Sequence, residues 1–148
     1  MSRAILISFI LAVSITGVCA QADADRDAIK RTVVNYAEGW YEGNADKMES
    51  SLSPDLAKRI ARTNAQNQTR LDHMTAMALV QGTRGGFGKQ TPTAEQQKDV
   101  TIFDVMGGAA TVKLEMRDWV DYMHIAKVNG KWVIVNVLWE MKPRKAAN

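Results

Sequence analysis

Two polar side chains, Asp121 and Asn136, are the exceptions on one face of a largely apolar run near the end of this 148-residue chain. The run holds residues 119–128 and 131–141, both rich in β-branched and aromatic types, on either side of Asn129-Gly130. An Asn-Gly pair in that setting predicts a two-residue hairpin, because a type I′ turn needs positive φ at both central positions. With Val128 opposite Lys131, unbroken pairing sets Ile125 against Ile134, Met123 against Asn136 and Asp121 against Leu138. Trp119, Asp121, Met123 and Ile125 then share a face with Trp132, Ile134, Asn136 and Leu138. A carboxyl in an apolar cavity holds its proton to higher pH, so Asp121 could act as a general acid or base with Asn136 orienting the substrate. The alternative is structural, with Asp121 bonded to Asn136 or to a helix-end amide so that the interior is satisfied. On the catalytic reading Asp121→Asn abolishes turnover and spares stability; with a filled core it destabilises and no chemistry is lost.

Trp40 and Tyr41, at the end of an amphipathic helix, could stack on a planar ligand at a cavity mouth, or could simply be core and rim aromatics. The expected ligand-lining set is Trp40, Tyr41, Trp119, Asp121, Met123, Asn136 and Leu138. His73 and His124 are the only histidines, one on an expected helix and one on the opposite sheet face, without clustered carboxylates. No metal centre and no cofactor are expected from them. Residues 82–91 superficially resemble a phosphate-binding loop, but Thr83 and Gln90 stand where Gly and Ser or Thr are needed. A loop between elements is the expectation there.

The elements that must position these residues begin with a helix from Asp23, on which Ile29, Val33, Tyr36, Ala37 and Trp40 form one face, ended by Gly43. Asp23, Asp25 and Asp27 would lie in its first turn, where the helix dipole favours negative charge. A short helix runs from Asp46 toward Leu52, closed by Pro54. Residues 56–61 are ambiguous between strand and helix, and a third helix is expected from Thr69 with Leu71, Met74 and Ala78 on its buried side. Residues 100–106 and 109–117 flank Gly107-Gly108 as another hairpin. The class is α+β.

Arg3 followed by the apolar stretch 4–18 and Val18-Cys19-Ala20 reads as a signal peptide, residues 1–20, cut after Ala20. An uncleaved anchor helix is the alternative. Cleavage leaves 148 minus 20, or 128, residues as a single domain, 21–148, without the chain's one cysteine. The expected location is periplasmic or secreted, with no membrane association after cleavage. Without Arg3 there are 18 basic and 16 acidic side chains, too even a balance for a nucleic-acid footprint. The other sheet face carries Tyr122, His124, Val133, Val135, Val137 and Trp139, and a second apolar face needs covering, so a homodimer through these residues is expected.

This order of elements resembles the nuclear transport factor 2-like superfamily, and within it the branch called putative lumazine-binding. The resemblance is carried by Asp118-Trp119-Val120-Asp121-Tyr122-Met123-His124 and by residues 130–139, with further support from residues 33–44 and 71–75. It spans roughly residues 25–143 and implies a cone-shaped fold in which a curved antiparallel sheet wraps the N-terminal helix. Relatives of this kind include ketosteroid isomerase, scytalone dehydratase, polyketide cyclases and many proteins that only bind. No Asp stands where the isomerase base is expected, and no Tyr and His set aligns with the dehydratase. The expected function is therefore an exported binding or accessory protein with an apolar pocket for a small, partly aromatic ligand. A cofactor-independent lyase, isomerase or hydrolase using Asp121 is one alternative, and a structural dimer with a filled core is another.

Overall fold

A computed structural model describes residues 14–143. Helix α1 (Ser14–Glu42) leads into the short α2 (Ala45–Ser51), where Asn44 caps the start by accepting from the Lys47 amide at 3.0 Å. Strands β1 (Leu52–Thr63) and β2 (Thr69–Thr75), helix α3 (Ala76–Arg84), two 3-10 turns (Phe87–Gln90 and Thr93–Glu95) and strands β3 (Asp99–Met106), β4 (Ala109–Glu115), β5 (Trp119–Val128) and β6 (Lys131–Met141) follow. All six strands form one sheet in the order β2-β1-β6-β5-β4-β3, antiparallel throughout except for the parallel pairing of β1 with β6. The fold is α+β, an open curved sheet against the long helix.

The core lies between α1 and the concave face of the sheet. Ile29, Val33, Tyr36 and Ala37 of α1 pack with Leu56, Val112, Leu114, Met123, Ile125, Ile134 and Val137. The helix face anticipated from its 3.6-residue period is the buried one. The α1 helix ends at Gly43, whose φ of +67° suits a residue without Cβ.

Several expectations change. The described part of α1 already begins at Ser14, so Asp23, Asp25 and Asp27 lie mid-helix. The expected signal segment lies mostly outside the described residues. Thr69 opens a strand, not a helix: β2 pairs residue for residue with β1 from Thr63↔Thr69 to Ala57↔Thr75, and Leu71 is 62% exposed. Leu71 and Met74 are three residues apart, which suits one helix face but puts them on opposite faces of a strand, and pairing with β1 overrides that spacing. The link is a turn in which Asn64 Oδ1 accepts from the amides of Gln66 and Gln68 and Asn67 takes φ +60°. His73 is thus on a strand. Residues 82–91 form the end of α3 and a 3-10 turn rather than an open loop.

The most consequential change is in β6. Pairing with β5 follows the expected register from Val128↔Lys131 to Ile125↔Ile134, across a turn with Asn129 at φ +50° and Gly130 at φ +80°. There the register shifts by one residue, and His124 pairs with Asn136, Met123 with Val137, Tyr122 with Leu138 and Asp121 with Trp139. An extra residue in one strand reverses the facing of everything beyond it. Val137 and Trp139 therefore turn inward, whereas Asn136 and Leu138 turn outward beside His124 and Tyr122.

Candidate functional site

A cavity of about 1140 Å³ opens at one end of the sheet. Its lining comes from α1 (Tyr36, Trp40), β1 (Lys58), β2 (Met74), α3 (Leu79), β5 (Trp119) and β6 (Trp139, Met141), with Glu95, Gln97, Arg117, Asp118, Lys142 and Pro143 adding polar and terminal surface. Three indoles meet edge to face: Trp119 lies 5.8 Å from Trp40 at 88° and 6.2 Å from Trp139 at 71°. At the opening, Arg117 pairs with Glu95 at 2.8 Å, and Lys142 Nζ donates to Gln97 Oε1 at 2.8 Å.

Lys58 forms the floor. Leu56, Lys58 and Ile60 alternate with outward residues along β1, so the strand itself aims the lysine inward, where only 4% of it is exposed. Its Nζ donates to Tyr36 Oη at 2.9 Å and to Asp121 Oδ1, and stands 5.0 Å from the centroid of Trp139. The second oxygen of Asp121 accepts from Trp119 Nε1 at 3.0 Å. Burial holds the Lys58 ammonium below the usual lysine range, opposed by the Asp121 carboxylate beside it. The Tyr36 phenol is pushed well up, first by burial and then by Asp121, so it keeps its proton. A buried ion pair held further by a phenol and an indole, with one of the three Lys58 N–H groups outside these bonds, is a rigid, polar floor under an aromatic cage.

Of the residues expected to line a ligand site, Trp40 and Trp119 do line the cavity. Asp121 sits just behind, fully buried, reaching the cavity through Lys58 and Trp119. Tyr41 is 3% exposed and turned away: its hydroxyl donates to Gln97 O and accepts from the Arg117 amide, both at 3.0 Å. Met123 is core. Asn136 and Leu138 lie on the opposite sheet face because of the register shift, and Asn136 bonds Arg59 at 3.2 Å and His124 at 3.3 Å rather than Asp121. Of the expected interface residues Tyr122 and His124 are exposed on that outer face, Val133 and Val135 have little exposure, and Val137 and Trp139 face the core and cavity. Lys58 and Trp139 were not anticipated at the site. A single lysine within the alternation Leu56, Lys58, Ile60 was the signal for the first; no residue type marks the shift that turns the second inward. Among the described residues no cluster of three metal-ligating side chains occurs.

Gly88, in the first 3-10 turn, shows how tightly Trp40 is held: a Cβ there would collide with the Trp40 carbonyl and indole.

Residues 24–140 match the family model described as "Putative lumazine-binding". The chain belongs to that family. No curated protein matches it. Among solved structures it is similar to a nuclear transport factor 2-like protein of unknown function from Shewanella baltica, at 18% identity over 82% of this chain and 97% of that one, with a TM-score of 0.61. A nuclear transport factor 2-like protein with a cystatin-like fold from Novosphingobium aromaticivorans matches at 14% identity over 92% and 95%, TM-score 0.63. A third, of unknown function, from Methylobacillus flagellatus matches at 19% over 81% and 94%, TM-score 0.58. These likenesses establish the nuclear transport factor 2-like fold.

Proposed function

We propose that this chain is an exported small-molecule-binding protein whose cavity takes a flat, partly aromatic ligand with a hydrogen-bond acceptor at its inner end. The observation that carries the reading is the three-tryptophan cage over the buried Lys58. Indole faces and edges supply stacking area, and Lys58 supplies a single inward donor that fixes orientation. Asp121 acting on a substrate without Lys58 is less well supported, since in the resting site its oxygens are held by Lys58 and Trp119 and it adjoins the cavity only beside Lys58 Nζ. Export rests on the character of residues 1–20.

The test is titration of the purified protein with pterin- and flavin-like compounds, followed by tryptophan fluorescence and melting. A ligand at a hundred times its Kd should stabilise the fold by about 2.7 kcal/mol. Neither quenching nor a melting shift across a broad metabolite panel ends the reading. Native mass spectrometry of protein purified gently from its host's exported fraction reads both ligand mass and oligomeric state.

A homodimer through the outer sheet face is part of the proposal. Tyr122 and Leu138, paired across β5 and β6, are 49% and 51% exposed at the centre of that face.

A further inference from the structure

Lys58 has a feature that ligand orientation alone does not require. A donor for an acceptor oxygen could be any amide or hydroxyl, yet the cavity floor carries a primary amine, 4% exposed, clasped by one acid and one phenol. Two of its three N–H positions are directed to Asp121 and Tyr36. Lys58 lines the cavity, and its amine stands 5.0 Å from the centroid of the Trp139 ring, beside the space where a planar ligand held in the cage would present its inner end.

We propose that Lys58 forms an imine with a small aromatic or conjugated aldehyde held in the tryptophan cage. This rests on the ligand-binding reading above and names the chemical class of the ligand. The bonds balance without any further reactant. The Lys58 ammonium passes a proton to the Asp121 carboxylate, and the free amine attacks the carbonyl carbon. A C–N bond forms as the C–O π pair moves to oxygen, which takes a second proton from nitrogen to give the carbinolamine. Asp121 returns its proton to the hydroxyl, which leaves as water, and a protonated imine remains. Nitrogen keeps one of its three protons, and the other two depart in the water.

Three observations support this chemistry over simple ion pairing. The protonated imine carries the same single positive charge as the ammonium, so the fully buried Asp121 stays neutralised before and after the step. The same burial that lowers the proton affinity of Lys58 makes its unprotonated, nucleophilic form more accessible than that of an exposed lysine. The indoles of Trp40, Trp119 and Trp139 surround the site of reaction with apolar surface that shields an imine from hydrolysis.

The test is incubation of the full chain with benzaldehyde and sodium cyanoborohydride, followed by intact mass and peptide mapping. The expected result is one benzyl addition per chain, located on Lys58, and lost in the Lys58→Arg variant. Mapping on the wild-type protein makes the result independent of how that variant folds. A second arm adds excess benzyl alcohol, which has the same ring and no carbonyl, and is expected to slow labelling of Lys58 but not of exposed lysines. Additions confined to exposed lysines, or absent, overturn the imine. If pterin- or flavin-like compounds quench tryptophan fluorescence in that same preparation, the binding reading stands without it; if they also fail, both fall.

Discussion

Removing one member of the Lys58–Asp121 pair should be far more damaging than removing both. Asp121 is wholly buried and the Lys58 side chain is 5% exposed, so Asp121→Leu strands an ammonium in the interior and deprives Trp119 Nε1 of its acceptor. Breaking a buried pair from one side costs about 3–5 kcal/mol. Lys58→Met strands the carboxylate in the same way. If the two losses were independent, the double variant would fall by roughly 6–10 kcal/mol, as much as the whole stability of many domains. With both charges gone, only the Tyr36 hydroxyl and the Trp119 indole lose partners, at about 1–3 kcal/mol each. Against that stands the removal of two desolvated charges, which is often stabilising by about 1–4 kcal/mol. The centres of these ranges, about 4 kcal/mol lost against about 2.5 regained, put the double variant about 1–2 kcal/mol below the parent. Urea unfolding at pH 7, followed by far-UV circular dichroism and tryptophan fluorescence, reads this directly. At an m-value of about 2 kcal/mol/M, each single variant should lose roughly 2 M in midpoint and the double about 1 M or less. A double variant that loses the sum of the singles, or an Asp121→Leu variant within about 1 kcal/mol of the parent, would refute the pairing.

Asp25 accepts from Lys127 Nζ at 2.7 Å and from Trp132 Nε1 at 3.0 Å, and these bonds hold its carboxyl down to about 2 from an ordinary 3.8. Between those values the unfolded chain binds more protons, so this contribution is present above pH 3.8 and lost as pH falls through about 2. Acid titration of Trp132 emission should show a step in that window that Asp25→Asn abolishes. Gly88→Ala should destabilise by about 1–3 kcal/mol through overpacking against Trp40, and should weaken cavity ligands by shifting that indole; urea unfolding and ligand titration read the two effects. Leu138→Glu should convert a dimer to monomer by light scattering while leaving the melting of the monomer nearly unchanged, since the side chain is half exposed. A soluble dimer from that variant would place the interface elsewhere.

The sequence was legible where local chemistry and long-range packing agreed. The apolar stripe on α1 and the Asn129-Gly130 turn each specify their element from within a few residues, and both stand as read. Residues 69–75 were misread because the spacing of Leu71 and Met74 suits a helix, and only long-range pairing with β1 makes them a strand. The candidate site was half legible for a related reason. Trp40, Trp119 and Asp121 precede the register shift or lie outside β6, so simple alternation places them correctly. Asn136, Leu138, Val137 and Trp139 all lie beyond it and were assigned to the wrong face. Lys58 was missed because β1 joins the sheet beside β6 through parallel pairing, a partnership that no turn between the two announces.

The extra residue in β6 also divides that strand into two reading frames. Before it, even-numbered residues such as Trp132 and Ile134 face the helix; after it, odd-numbered Val137 and Trp139 do. Were the pairing with β5 unbroken at this chain length, Leu138 would stand opposite Asp121 in the place of Trp139, and the indole would turn to the outer face. The cage would lose a wall and the outer surface would gain one. Deletion of Val135 straightens the strand by shortening it, and so leaves Asn136 opposite His124 and Trp139 opposite Asp121. One residue without a partner, more than side-chain identity anywhere along the strand, is what keeps the cage closed at this strand length.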